Sequence, residues 1–90
     1  MVTSVNGTRS AITHSQVRAA RAMLGWTLDQ LIAASGVPKR TLIRLESNDG
    51  FPRTATVLAV RAALESAGVE FIAENGGGPG VRLQRRRDAD

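Results

Sequence analysis

Apolar residues recur at helical spacing from residue 13 onward, which predicts that the first part of the chain consists of short helices. Thr13 and Gln16 have the spacing of a capping box, so a first helix begins there. Gly25 is the residue type that most often ends a helix. The apolar residues expected on the buried face of this helix are Val17, Ala20, Met23 and Leu24.

The same signals repeat directly afterwards and predict a second helix. Thr27 and Gln30 have capping-box spacing, and Gly36 interrupts the helix after about Ser35. The apolar residues of this second helix are Leu28, Leu31, Ile32 and Ala34. Trp26, just before it, is expected to pack on the core or its rim.

Two further helices are predicted between Pro38 and Ala67. Pro38 opens the third helix at its first position, where a missing N–H has no partner to lose, and this helix runs to Glu46. The expected inward positions around it are Val37, Leu42 and Leu45. After the turn residues 47–50, Thr54 caps a fourth helix. The apolar residues of the fourth helix are Val57, Leu58, Val60 and Leu64.

The chain beyond the fourth helix changes from helical spacing to short β-prone runs. Residues 69–72 and 81–83 flank a glycine-rich segment, which predicts a β-hairpin. A phosphate-cradling glycine loop would need a helix directly after it, whereas a second strand follows here, so no nucleotide site is expected. The predicted fold class is mainly α, a compact bundle of four short helices followed by a C-terminal β-hairpin.

These patterns predict four segments along the chain. Residues 1–12 are expected to form a flexible leader, residues 13–67 the helical domain, residues 68–84 the hairpin, and residues 85–90 a disordered tail. A chain of 90 residues has room for one small domain.

Composition excludes several kinds of chemistry. The chain has no Cys and a single His, so neither a thiolate or multi-histidine metal site nor a catalytic triad is expected. No acid, base and nucleophile converge, so we expect no enzymatic activity and no cofactor. Without a signal peptide or an apolar stretch of about 20 residues, the chain is expected to be cytoplasmic and to lack a membrane span.

Positive charge is concentrated in the helical part of the chain. The net charge is +4, and eleven of the twelve basic residues are Arg. Residues 14–61 carry seven basic and three acidic side chains, whereas residues 62–90 carry four basic and five acidic ones. A polyanion is therefore the expected partner, and the helical part is expected to contact it.

The third predicted helix presents a cationic face. Because Leu42 and Leu45 point inward, three basic side chains without a carboxylate among them point outward: Lys39, Arg40 and Arg44. Such a set repels itself on an isolated surface but is attracted by a groove lined with phosphates. Two short helices joined by a Gly-containing turn are the arrangement of a helix-turn-helix, whose second helix enters the major groove of DNA.

Four segments of this region resemble the Cro/C1-type (Xre class) helix-turn-helix of phage repressors. They are residues 21–27, Gln30-Leu31, residues 35–37 and residues 41–46, and the resemblance extends over about residues 13–67. The C-terminal part is similar to that of small bacterial regulators that end in a hairpin. The resemblance implies a lambda-repressor-like bundle that binds double-stranded DNA.

The resemblance also implies roles for individual residues. Lys39, Arg40 and Arg44 match positions that read base edges, and Thr41 matches a small hydroxyl residue that approaches DNA. Arg21 and Glu46 match a pair that bridges the first and third helices. Three residues depart from the family pattern, because polar residues are usual at their positions: Leu28, Pro38 and Ile43. Fewer phosphate contacts are expected from Leu28 and Pro38.

The loop before the fourth helix supplies further candidates. Arg53 and the amides from Asn48 to Gly50 are placed to reach a phosphate, the alternative being an ordinary exposed loop. His14 is expected to be a surface residue at a helix start.

The sequence therefore predicts a transcriptional regulator that binds an inverted-repeat operator as a homodimer, with half-sites about 34 Å apart or a multiple of that. Residues 69–83 are the expected dimer contact, because a lone hairpin would leave apolar residues exposed on a monomer: Val69, Phe71, Val81 and Leu83. The alternative is a hairpin that folds back on its own helices. The second functional hypothesis is a protein-interaction module, antitoxin-like or an anti-activator, whose DNA binding mainly serves its own regulation.

Overall fold

Four α-helices followed by a two-stranded antiparallel hairpin make up residues 12–84, the part of the chain that the computed structural model describes. The helices are α1 (His14–Leu24), α2 (Leu28–Ser35), α3 (Lys39–Glu46) and α4 (Thr54–Ser66). The strands are β1 (Val69–Ile72) and β2 (Gly80–Leu83). The predicted mainly-α class with a C-terminal hairpin is confirmed.

The ends of the chain were predicted to form a leader and a tail. Ile12, which was assigned to the leader, packs against the core. The rest of the predicted leader (1–11) and the predicted tail (85–90) lie outside the described residues. Among residues 12–84, no helix combines the length and the apolar character that crossing a membrane requires.

Both predicted capping boxes form. The Thr13 hydroxyl accepts from the Gln16 amide at 3.1 Å, and Gln16 Oε1 accepts from the Thr13 amide at 2.8 Å. Thr27 and Gln30 make the equivalent bonds at 3.2 and 2.7 Å. Both helices end at glycines in the left-handed conformation, Gly25 and Gly36. Local signals thus define α1 and α2 at both ends.

The starts of α3 and α4 differ by one residue from the prediction. Pro38 has an extended ψ of 151° and is the N-cap of α3, not its first helical residue. Arg53 is the N-cap of α4, so Thr54 is the first residue of that helix and does not cap it. Neither cap residue makes a side-chain hydrogen bond to its helix. The first-turn N–H groups of α3 and α4 therefore have no partner from a cap side chain.

The core lies where the four helices and the hairpin meet. Its buried apolar residues are Val17, Ala20, Leu31, Val37, Leu42, Leu45, Val60, Leu64 and Val69. The inward positions predicted around α3 are all buried, and Trp26 packs against this core as predicted.

Three residues predicted on apolar faces are instead exposed. Met23 is 44% exposed, although it lies only about 20° around α1 from the buried Gln16, two turns earlier. Leu58 is 47% exposed because it lies about 160° around α4 from Val60. Ala34 of α2 is also exposed. In α1, α2 and α4, the apolar residues outnumber the buried ones.

The hairpin packs against the molecule's own helices. Its strands pair in the register Val69 opposite Leu83 and Ile72 opposite Gly80, and they contact α1 and α4. Val69 is buried, and Phe71 and Val81 pack against the core. The expectation that these three side chains would be exposed on a monomer is wrong, because helix faces cover them. Leu83 is the exception, at 45% exposure.

Gln16 joins α1 to the hairpin. Its Nε2 donates to the carbonyl oxygens of Gly80 at 2.8 Å and Ile72 at 3.3 Å. These two residues face each other at the loop end of the hairpin. The same side chain closes the capping box with Thr13 through Oε1. One buried amide thus fixes the start of α1 and the position of both strands.

We predict that Gln16→Ala destabilises the protein more than Gln30→Ala does. Gln16→Ala removes a capping bond and two side-chain hydrogen bonds to strand carbonyls, at a cost of roughly 2–3 kcal/mol. Gln30 makes only the equivalent capping bond and is exposed, so its loss costs about 0.5–1 kcal/mol. Urea unfolding of the three proteins measures both values. Equal losses would contradict the role of Gln16 in holding the hairpin.

Candidate nucleic-acid interface

Helix α3 faces solvent with its basic side chains. Leu42 and Leu45 lie on its buried side, and Lys39, Arg40 and Arg44 are exposed, as predicted from the sequence. Ile43 is exposed as well, whereas Thr41 is half-buried. Because the leucines face the core and the basic side chains face solvent, the basic side of α3 is the side available to a partner.

A short, well-defined turn connects α2 to α3. Gly36 adopts φ of 75°, Val37 is buried, and Pro38 has φ of −61° fixed by its ring. The Ser35 hydroxyl donates to the Leu31 carbonyl at 2.7 Å and accepts from the Val37 amide at 3.2 Å. Because each turn residue is held by packing, a ring or a hydrogen bond, α3 has a fixed direction relative to α2.

Arg21 and Glu46 form a bidentate ion pair between α1 and α3. Arg21 Nε lies 2.8 Å from Glu46 Oε2, and an Nη lies 2.9 Å from Oε1. The other Nη donates to the Trp26 carbonyl at 3.0 Å. The hydrogen bond to Glu46 raises the pKa of the Arg21 guanidinium, and burial only partly opposes this. The bridge that the resemblance implied is therefore present.

Arg44 has a carboxylate neighbour that the sequence of α3 did not reveal. Its Nε lies 3.8 Å from Asp49 Oδ2, in the loop that follows the helix. Both side chains are more than half exposed, and pairs of this kind contribute about 0–1 kcal/mol. The expectation of a cationic face without carboxylates is therefore wrong at Arg44, but the contact is weak enough for a phosphate to replace it.

A groove of about 610 Å³ lies between the starts of α3 and α4. Thr41, Arg44 and Arg53, three of the predicted DNA contacts, line it. Both α3 and α4 begin with N–H groups that no cap side chain satisfies, and such groups attract anions. The groove thus combines guanidinium groups with two positively polarised helix starts.

The remaining predicted contacts are distributed around this groove. Lys39 and Arg40 are exposed on α3 without lining it. Asn48 is exposed with φ of 57° and lines a separate groove of about 220 Å³, which also contains Arg44 and His14. His14 is half-buried, and its Nδ1 is buried without a hydrogen-bond partner among residues 12–84, so it is not the simple surface residue predicted.

Sequence reasoning missed Phe51. Its side chain is completely exposed, and it lines the larger groove beside Arg53. The signal that could have found it is an aromatic residue between Gly50 and Pro52, outside every apolar stripe of the chain. Leu28, which departs from the family pattern, packs partly against the core. Groups of three or more potential metal-ligating side chains are absent from residues 12–84.

We predict that Arg21 and Glu46 are strongly coupled in folding stability. Arg21→Met leaves the Glu46 carboxylate buried without its partner and costs roughly 2–3 kcal/mol, less than for a fully enclosed pair because Arg21 is partly solvated. Glu46→Leu likewise leaves the Arg21 guanidinium without its carboxylate partner. The double variant should lose less than the sum of the two, since two apolar side chains can replace the pair. Urea unfolding of all four proteins measures the coupling, and additive losses would refute it.

A scan of the chain against protein-family models matches none of them, and a search of curated proteins finds no significant relative.

Proposed function

We propose that the chain is a sequence-specific regulator of transcription that binds double-stranded DNA, with α2 and α3 forming a helix-turn-helix. The observation that carries this proposal is the opposition on α3 between buried leucines and the exposed side chains of Lys39, Arg40 and Arg44. A helix with side chains is about 10–12 Å across, close to the width of the major groove. A firmly held helix with a cationic outer face suits that groove.

The chemistry of the exposed side chains supports a division of labour. Arginine forms bidentate hydrogen bonds to guanine O6 and N7, so we assign Arg40 and Arg44 to base edges, with Lys39 beside them. Thr41 and Arg53 line the groove where two helix starts offer N–H groups, and we assign them to the phosphate backbone. Asn48 is assigned to a neighbouring phosphate. Arg21 and Glu46 hold α3 and do not read bases.

Dimerisation follows from the small size of the reading element. Helix α3 has eight residues and reaches only a few base pairs, so useful specificity requires two copies on an inverted repeat. We propose that residues 69–83 form the contact through Leu83 and the outer strand edges, because Val69 is buried and Phe71 and Val81 pack partly against the core. A homodimer of this kind would regulate a promoter by occupying its operator, without catalysis.

The protein-interaction hypothesis has less support. It assigned the partner site to the hairpin and the tail. Most apolar side chains of the hairpin instead pack against the chain's own core, so another protein would have the same small surface of Leu83 and the strand edges as a second copy of the chain. The exposed cationic side chains of α3 also have no role in that hypothesis beyond self-regulation.

We predict that Arg44→Ala relaxes selectivity at one base pair of the operator. Losing one bidentate pairing costs about 1–3 kcal/mol, or roughly 5–150-fold in affinity for the preferred base. Selection from a random DNA pool identifies the operator, and titrations against it and against single-base variants measure the change. Arg18→Ala is the control, since it removes one positive charge from an exposed site on α1.

Two outcomes would contradict the assignment at different levels. An unchanged ratio between operator and random DNA in Arg44→Ala would remove Arg44 from the base-reading set. A wild-type protein that enriches no sequence from the pool would refute sequence-specific DNA binding itself.

We predict that Leu83→Glu dissociates the dimer and that Met23→Glu does not. The two side chains are 45% and 44% exposed, so the substitutions cost the folded chain similarly. Only Leu83 belongs to the proposed contact, where a carboxylate would have to be buried without a partner. Sedimentation over a range of concentrations measures the effect. Equal dimerisation of both variants, or a wild type that stays monomeric throughout, would contradict the hairpin contact.

A further inference from the structure

Phe51 is an aromatic side chain that the fold does not use. The chain has three aromatic residues, and Trp26 and Phe71 pack against the core. Phe51 is 102% exposed, in the loop between α3 and α4. Gly50, with φ of 82°, and Pro52 flank it. A ring of this size gains substantially from burial, so a partner that binds at this loop can bury apolar area on it.

The position of Phe51 couples it to the proposed DNA contacts, one to a base edge and two to phosphates. It lines the groove of about 610 Å³ together with Thr41, Arg44 and Arg53. A molecule that lies along this groove and touches the two arginines therefore also meets the aromatic ring. The partner must offer negative charge and an apolar surface side by side.

The charge of this surface selects between a second copy of the chain and a nucleic acid. Arg44, Arg53 and the neighbouring Arg40 outnumber the single carboxylate of Asp49. A second copy docking through the same surface would bring the same positive excess against it, which disfavours self-association. Duplex DNA is complementary: its guanine edges and phosphates match the arginines, and its deoxyribose rings, together with base faces at steps that unstack, offer apolar area.

We propose that Phe51 is an apolar DNA-contacting residue, which packs its ring against deoxyribose and base surface beside the phosphates bound in the groove. This inference rests on the proposed DNA-binding function and extends it to a residue outside α3. An apolar side chain inserted at a base step favours steps that unstack easily, such as pyrimidine–purine steps. Insertion of the Phe51 ring at such a step, which the 2-aminopurine measurement below tests, would add selectivity through the deformability of DNA.

The full chain with Phe51→Ala tests this proposal. Because the ring is completely exposed, the substitution should leave the urea midpoint unchanged, so a change in binding is not a folding defect. We expect affinity for the selected operator to fall about ten-fold, which is the lower end of what burying a phenylalanine side chain contributes. Phe51→Trp should retain most of the affinity. Leu58→Ala, at an exposed apolar site on α4, is the matched control and should have no effect.

Salt dependence separates an apolar contact from an ionic one. The slope of log affinity against log salt should be the same for Phe51→Ala and wild type, since no phosphate contact is lost. Arg53→Ala should reduce the slope by about one. A 2-aminopurine base placed at a pyrimidine–purine step next to the half-site becomes more fluorescent when it unstacks. Its fluorescence should rise when wild type binds and should not rise when Phe51→Ala binds.

The failing outcomes are distinct from one another. If wild type binds its operator and Phe51→Ala binds it equally well, the role of Phe51 is refuted while the proposed function stands. If Phe51→Ala instead raises the dimer dissociation constant without DNA and leaves the affinity of the dimer for DNA unchanged, Phe51 serves self-association and the proposal is wrong. If wild type binds no duplex DNA, the proposed function fails and this inference with it.

Discussion

The bidentate contact between Arg21 and Glu46 is the interaction on which the arrangement of this molecule depends. It joins α1 to the last residue of α3, and the third hydrogen bond of Arg21 adds the Trp26 carbonyl between α1 and α2. Leu42 and Leu45 fix which side of α3 faces the core, but apolar contacts alone allow small rotations and slides. A bidentate pair between a planar guanidinium and a carboxylate is strongly directional, so the ion pair supplies the directional constraint.

Much of the helical architecture is predictable because residues close together in the sequence determine where α1 and α2 begin and end. The two capping boxes and the glycines that follow them involve residues three or four positions apart, so the sequence alone contains their partners. The predicted starts of α3 and α4 differ by one residue from the observed ones. Pro38 suits both the N-cap and the first helical position, and Arg53 suits both the N-cap and the residue before it. Met23 and Leu58 were misassigned because apolar composition does not show where the stripe of contact ends.

The interface could be predicted only in part. The outward direction of Lys39, Arg40 and Arg44 follows from the burial of Leu42 and Leu45, which is a matter of helical spacing. The neighbours of the same residues depend on the path of the α3–α4 loop. That path includes left-handed conformations and brings Asp49 to Arg44, and no local pattern encodes such a contact.

Helix α1 connects the two halves of the proposed machinery. Gln16 holds the loop end of the hairpin, and Arg21, five residues later, holds the end of α3. Five residues correspond to about 7.5 Å along the helix and about 140° around it, so the two anchors lie on well-separated sides of one rigid rod. If the hairpin joins two copies, the spacing between their α3 helices is transmitted through α1. A half-site spacing is then a property of the backbone of α1 and of two polar side chains on it, and not of the hairpin alone.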